Sequence, residues 1–190
     1  MDKKGIITII LGTLILFIWG IISWMVLPFH GNSLNSIPEG AMDTQELKKL
    51  MPESGVYHLP GMPADNSEAA MKKVEDQLAE GPRITLMVYK NEPTQLFDPK
   101  DFITSLLLNL LTALFTFLLI SKLGYKDLKS IMMACLLIAL LMAVVADLSV
   151  MNWFMFPFDF TFANIIDRIV SFGLLGLLFA FYTFKGEPAA

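Results

Sequence analysis

The sequence predicts an α-helical membrane protein that has four transmembrane helices and a small α/β extracytoplasmic insertion between helices 1 and 2. Hydrophobic residues make up 55% of the 190 residues and charged residues only 17%, and the mean hydropathy is +0.59. An average soluble domain has about 25% charged residues, and here the deficit is concentrated in four long runs. The net charge of −4 argues against nucleic-acid binding, and the single cysteine excludes an internal disulfide framework.

The first uncharged run, Gly5 to Phe29, has 25 residues and can cross a hydrocarbon core of about 30 Å. It follows Lys3 and Lys4 as a signal peptide would, but it is too long and lacks an Ala-x-Ala cleavage site, so we interpret it as a retained anchor. The predicted segments are a cytoplasmic N-terminus (1–4), helix 1 (5–29), an extracytoplasmic domain (30–100), helix 2 (101–121), a cytoplasmic loop (122–130), helix 3 (131–147), an aromatic interfacial loop (148–162), helix 4 (163–184) and a cytoplasmic tail (185–190).

The distribution of basic residues predicts the orientation of the chain. Residues 30–100 hold seven basic and eleven acidic residues, which is typical of the outer side of a membrane. Because short loops rich in lysine stay in the cytoplasm, we expect both termini inside. The lysines on which this expectation depends are Lys3, Lys4, Lys122, Lys126, Lys129 and Lys185.

The segment 30–100 has the composition of a small folded unit. Asp43 or Thr44 can cap a short helix, 55–59 and 83–89 read as strands, and a second helix is predicted from Ser67 to residue 80. Two strands alone are marginally stable in water. We therefore expect this unit to lean on the membrane helices, on a copy of itself or on another protein.

Helix 2 carries a polar stripe through its apolar sequence. Asn109 lies near its centre, where an amide in hydrocarbon needs a partner. The stripe indicates either hydrogen bonds between helices and to the helix's own backbone, or a face that lines an aqueous path. Its members, spaced by three or four residues, are Asp101, Ser105, Asn109, Thr112 and Thr116.

Every predicted span brings an ionisable residue to the outer membrane interface. Arg168 lies inside helix 4, so we expect Asp147 or Asp167 to pair with it. One interpretation is structural, with flanking charges that fix the depth of the helices; the other is a site for a proton, a cation or a polar head group, which His30 would make sensitive to pH. The candidate cluster is His30, Asp101, Asn109, Asp147, Asn164, Asp167 and Arg168.

Aromatic residues crowd the segment between helices 3 and 4. From Phe154 they recur at every second position, and Pro157 argues against a continuous helix, so an extended interfacial loop is predicted. It is either an ordinary aromatic belt or a docking surface for lipid, a hydrophobic ligand or a partner's helix. The candidate interface residues are Trp153, Phe154, Phe156, Phe158 and Phe160.

Two further features of the sequence concern helix packing and catalysis. Gly173, Gly176 and Ala180 share a face of helix 4 where another helix can approach closely. The chain has no nucleotide-binding loop, nucleophile elbow or zinc motif, and His58 with Met62 is only a weak copper signal. We therefore predict no catalytic residue, no metal and no cofactor.

Two segments, 24–30 and 156–168, resemble parts of small bacterial polytopic inner-membrane proteins that have no assigned activity. The resemblance implies a location in the bacterial inner (cytoplasmic) membrane and supplies no site residue.

The leading functional hypothesis is a non-catalytic accessory, assembly or interaction protein of the cell envelope, with membrane lipid and a protein partner or a second copy of itself as partners. The alternative is binding or transport of an ion, lipid or hydrophobic ligand through the polar cluster. A membrane enzyme is the least favoured class.

Overall fold

The computed structural model describes residues 2–41 and 43–183, which form two compact units. One unit combines Met1–Asn35 with Leu96–Ala190, and the other is Ser36–Gln95. The predicted cytoplasmic tail 185–190, including Lys185, lies outside the described residues, as does Met1 of the predicted N-terminus.

Four helices in the first unit are long and apolar enough to cross a membrane, as in a multi-pass membrane protein. These spans are Lys3–Val26, Pro99–Leu123, Leu128–Phe154 and Phe158–Thr183, numbered one to four below. The helices and strands are α1 (Lys3–Ile21), α2 (Pro28–Gly31), α3 (Thr44–Leu50), β1 (Gly55–Leu59), α4 (Glu68–Glu80), β2 (Ile84–Tyr89), α5 (Pro99–Leu123), α6 (Leu128–Met142), α7 (Ser149–Phe154) and α8 (Phe158–Leu178). Spans one, three and four also contain π-helical turns, at Ile22–Val26, Ala143–Leu148 and Phe179–Thr183.

Two spans begin earlier than their apolar runs because an aspartate caps each of them. Asp98 accepts a hydrogen bond from the Lys100 N–H (2.9 Å), and Asp127 accepts one from the Ser130 N–H (2.8 Å). These bonds satisfy backbone donors that the first helical turn leaves without a partner. Hydropathy does not register such polar ends, so α5 and α6 extend beyond the ranges predicted from the apolar runs.

The spans pack in the order α6, α8, α1, α5. The helices α5 and α6 are neighbours in sequence, but each packs mainly on a different partner and they hardly contact each other. A Cβ atom added to Gly12 would lie 3.2 Å from the Ala113 Cβ, and one added to Gly176 would lie 2.8 Å from the Met132 sulfur, so glycine permits both close approaches. The apolar core includes Ile9, Leu16, Ala113, Phe117, Ile120, Ile131, Cys135, Phe172, Leu175 and Phe179.

The connection between spans three and four is shorter than the predicted loop 148–162. The helix α7 continues to Phe154, Met155 adopts a left-handed conformation (φ 57°), and α8 begins directly after Pro157. The expectation of an extended chain is wrong from Phe158 onward, because proline suits the start of a helix as well as it breaks one. Phe158 and Phe162 stack at i and i+4 with ring centroids 5.6 Å apart.

The second unit contains α3, β1, α4 and β2, with the two strands antiparallel. Asp43 and Ser67 cap the two helices through bonds from backbone N–H groups. Met51 and Val74 are its buried apolar side chains, whereas the cross-strand pair Val56 and Val88 is 63% and 78% exposed. In the described part of the chain, the sheet has two strands.

Candidate functional site: two polar cavities

Asp147 and Arg168 form a paired, buried charge between spans three and four. The Arg168 Nη2 donates to Asp147 Oδ1 at 2.9 Å, and the Arg168 Nε donates to the other carboxylate oxygen. The Asp147 side chain is 7% exposed and that of Arg168 28%. A bidentate bond of this kind satisfies both charges at once and meets the cost of placing them in an apolar layer.

A small cavity of about 250 Å³ adjoins this pair and is called the Asp147 cavity. Asn164, Phe156 and Phe160 contribute to its walls. The ion pair is the pairing that the structural interpretation expects for Asp147 and Arg168, and the site interpretation stays a prediction.

A larger cavity of about 390 Å³ lies between spans one, two and four and is called the Asp167 cavity. Asp167 faces it from α8, on another side of the helix from its neighbour Arg168. The indole Nε1 of Trp19 donates to Asp167 Oδ1 at 2.6 Å and so orients the carboxylate. The remaining lining residues are Leu16, Phe17, Gly20, Ile21, Trp24, Met25, Asp101, Phe102, Ser105, Asn109 and Ser171.

The chemical character of this lining is acidic and aromatic. It includes the two carboxylates Asp101 and Asp167 and the amide of Asn109, whereas no lysine, arginine or histidine is among the described residues that line it. Carboxylates attract a cation directly, and the faces of Trp and Phe rings attract one through their quadrupoles. The cavity is therefore suited to a positively charged group with an apolar body.

The polar stripe of the second span divides between two roles. Asp101, Ser105 and Asn109 line the Asp167 cavity. Further along the same helix, the Thr112 hydroxyl donates to the Leu108 carbonyl (3.0 Å) and the Thr116 hydroxyl to the Thr112 carbonyl (2.7 Å). The bonds of Thr112 and Thr116 to their own helix are those of the first interpretation, and the aqueous path stays a prediction.

His30 is not a lining residue of either cavity, but it contacts Trp24 in the wall of the Asp167 cavity. Its ring is 1% exposed and stacks on Trp24, with centroids 3.9 Å apart and an interplanar angle of 8°. Among the residues that the structure describes, neither ring nitrogen has a hydrogen-bond partner. Burial lowers the pKa of His30 below its ordinary value of 6.5, and the negative charge of Asp167 opposes this shift in part.

The predicted cluster is thus divided between two cavities and a histidine that stacks on the wall of the larger one. Asp147, Asn164 and Arg168 belong to the smaller cavity, and Asp101, Asn109 and Asp167 to the larger. Sequence reasoning missed Trp19, which had no polar neighbour along the chain to single it out. No three His, Cys, Asp or Glu side chains in the described part of the chain are arranged to hold a metal ion.

The five aromatic interface residues also divide. Trp153 and Phe158 are 74% and 71% exposed, and Phe154 is 40% exposed. Phe156 and Phe160 instead line the Asp147 cavity, where their rings lie 5.4 Å apart.

Comparison with known protein families, with curated protein sequences and with solved structures finds no match for this chain.

Proposed function

We propose that this membrane protein binds a cationic amphiphile, such as an organic ammonium with an apolar body, in the Asp167 cavity. The observation that carries the proposal is the convergence of Asp101 and Asp167, from two different spans, on one cavity with aromatic walls and no basic lining residue among the described residues. In the predicted orientation this cavity opens at the extracytoplasmic side.

The size and chemistry of the cavity support this choice of ligand. Its volume of about 390 Å³ lies within the range of about 300–1,000 Å³ that is typical of small-molecule sites. An ammonium group beside Asp167 would gain a charge-assisted interaction in a region of low dielectric, where such interactions are strongest. Phe17 and Phe102 contribute apolar walls for the uncharged part of the molecule.

Two probe ions of the same shape and opposite charge test the proposal. The full chain in lipid nanodiscs is titrated calorimetrically with tetraphenylphosphonium and with tetraphenylborate, against empty nanodiscs as a baseline. We expect saturable binding of the cation only, weakened about tenfold or more by Asp167→Asn, since a charged hydrogen bond contributes about 1.5–3 kcal/mol.

The matched control is Asp159→Asn, which removes an exposed acid from the same helix outside the cavity. This variant should bind the cation as the unmodified protein does. Equal binding of the two probe ions, or equal weakening by both substitutions, would contradict the proposal.

A second candidate function is that of an accessory protein of the bacterial inner membrane, with both termini cytoplasmic and a protein partner on the outer unit. The cross-strand pair Val56 and Val88 favours it, because the two exposed side chains lie opposite each other and offer a partner an apolar contact. A stoichiometric partner should copurify in mild detergent and be lost from Val88→Lys.

Reaction of Asn66→Cys with an impermeant thiol reagent on intact cells tests the orientation, and protection of that cysteine would refute it.

A further inference from the structure

A third cavity lies between α5 and α6 and shares no described lining residue with the Asp167 cavity. Its volume is about 530 Å³, and it is called the Lys129 groove. It exists because α5 packs on α1 and α6 on α8, which leaves the two helices at the ends of the row apart. Apolar side chains line most of it, including Leu119, Ala134, Leu137 and Leu141, and Tyr125 and Lys129 lie at one end.

The end of the groove that holds Lys129 is positively charged. The segment 122–130 contains three lysines and one aspartate, which gives a net charge of +2. The carboxylate of Asp127 is occupied as the cap of α6, and its hydrogen bonds from Ser130 lower its pKa. The apolar groove is therefore continuous with a cationic rim.

We propose that the Lys129 groove binds an acyl chain of an anionic phospholipid, with the phosphate of the head group beside Lys129. Basic pockets between membrane helices at the cytoplasmic side are suited to anionic head groups, and tyrosine is favoured at the same depth. Leu119, Leu137 and Leu141 are 45%, 58% and 64% exposed and offer an alkyl chain a continuous apolar wall. This inference is independent of ligand binding in the Asp167 cavity.

Charge favours a lipid over a transmembrane helix as the occupant of the groove. A helix from a partner, or from a second copy, would bring its own cytoplasmic lysines and arginines to this level of the membrane. Those residues would meet Lys122, Lys126 and Lys129 and repel them. An anionic head group instead neutralises the rim.

Native mass spectrometry of the full chain tests the proposal with phosphatidylglycerol and phosphatidylethanolamine of identical acyl chains. We expect about fivefold stronger retention of phosphatidylglycerol, the effect of one lysine near the membrane surface. Lys129→Glu should abolish this preference, whereas Lys4→Glu, a charge reversal on the same predicted side of the membrane, should leave it unchanged. Lys129→Gln serves if the charge reversal does not fold.

A second pair of variants tests the groove itself. Met133→Trp places a large ring in the groove and should reduce the retention of both lipids, whereas Val145→Trp adds the same ring to an exposed face elsewhere in the third span and should not. Equal retention of the two lipids, unchanged retention in Met133→Trp, or disulfide cross-linking between copies through Leu137→Cys would overturn the proposal.

Discussion

Asp167 and Arg168 are consecutive residues of one helix, yet they lie in opposite chemical situations. Arg168 is held by both oxygens of Asp147. Within residues 2–41 and 43–183, Asp167 has one hydrogen bond, from Trp19, and it lines a cavity of about 390 Å³. Successive residues of an α-helix point about 100° apart, so one helix presents a closed pair on one side and an open carboxylate on another.

The difference separates a charge that stabilises the fold from one that is available to a ligand. A buried pair is costly to break, because the surviving partner is left charged without compensation. A carboxylate at the wall of a cavity can lose its charge with little effect on folding and a large effect on binding. Substitution of Arg168 should therefore be followed by a stability measurement, and substitution of Asp167 by a binding measurement.

The largest effect is expected from Arg168→Leu, which leaves Asp147 buried without its partner. We expect a loss of about 3 kcal/mol in unfolding free energy, at the lower end for buried pairs because Arg168 is partly exposed. In a chain of this size the melting temperature should fall by about 6–12 °C in detergent, measured by tryptophan fluorescence. Asp167→Asn is the control and should lose clearly less, because the amide oxygen can still accept the Trp19 N–H; equal losses would contradict the contrast between the neighbours.

A smaller effect is expected from Trp19→Phe, which removes the N–H donor to Asp167 and keeps an aromatic ring. A hydrogen bond to a charged group contributes about 1.5–3 kcal/mol, and the partial exposure of Asp167 favours the lower end. The melting temperature should fall by about 3–6 °C. Trp24→Phe is the control, because no hydrogen bond joins this indole to a carboxylate in the described residues. A larger fall in its melting temperature would show that packing of the indole, and not the hydrogen bond, determines the effect.

The smallest effect concerns His30. Because burial lowers its pKa, the unfolded chain binds a proton more readily than the folded one, so its contribution to stability is present above pH 6.5 and is lost as the pH falls below it. The melting temperature of the unmodified protein should decline more between pH 7 and pH 5 than that of His30→Phe. Parallel declines of the two proteins would mean that other groups account for the pH dependence.

The sequence alone was sufficient for the four spans, because long uncharged runs have no other stable place than a membrane or a core. The sequence also predicted Asp147 or Asp167 as the partner of Arg168, and the structure shows the pair with Asp147. It was not sufficient for the grouping of the polar residues. Asp101, Asp147 and Asp167 were expected to meet because they lie at one depth, but only the order in which the helices pack decides which of them share a cavity.

Helix ends were predicted less well than helix centres, for a physical reason. The third span continues through Asp147 to Phe154 because Arg168 neutralises the carboxylate, and a hydropathy pattern registers the charge but not its distant partner. Trp19 was missed for a related reason. Its role arises from a contact with Asp167 across 148 positions of sequence, and no local pattern records it.

The π-helical turn at Ala143–Leu148 has a consequence for how this sequence can diverge. A π-helical turn contains about one residue more than a turn of regular α-helix, and Asp147 lies within this one. A deletion of one residue there would convert the wide turn into a regular one, which would change the direction of Asp147 relative to Arg168 without altering either side chain. Exchanges at the exposed Val144 and Val145 should be tolerated. Proteins that descend from this one should therefore accept substitutions within residues 143–148 but neither insertions nor deletions.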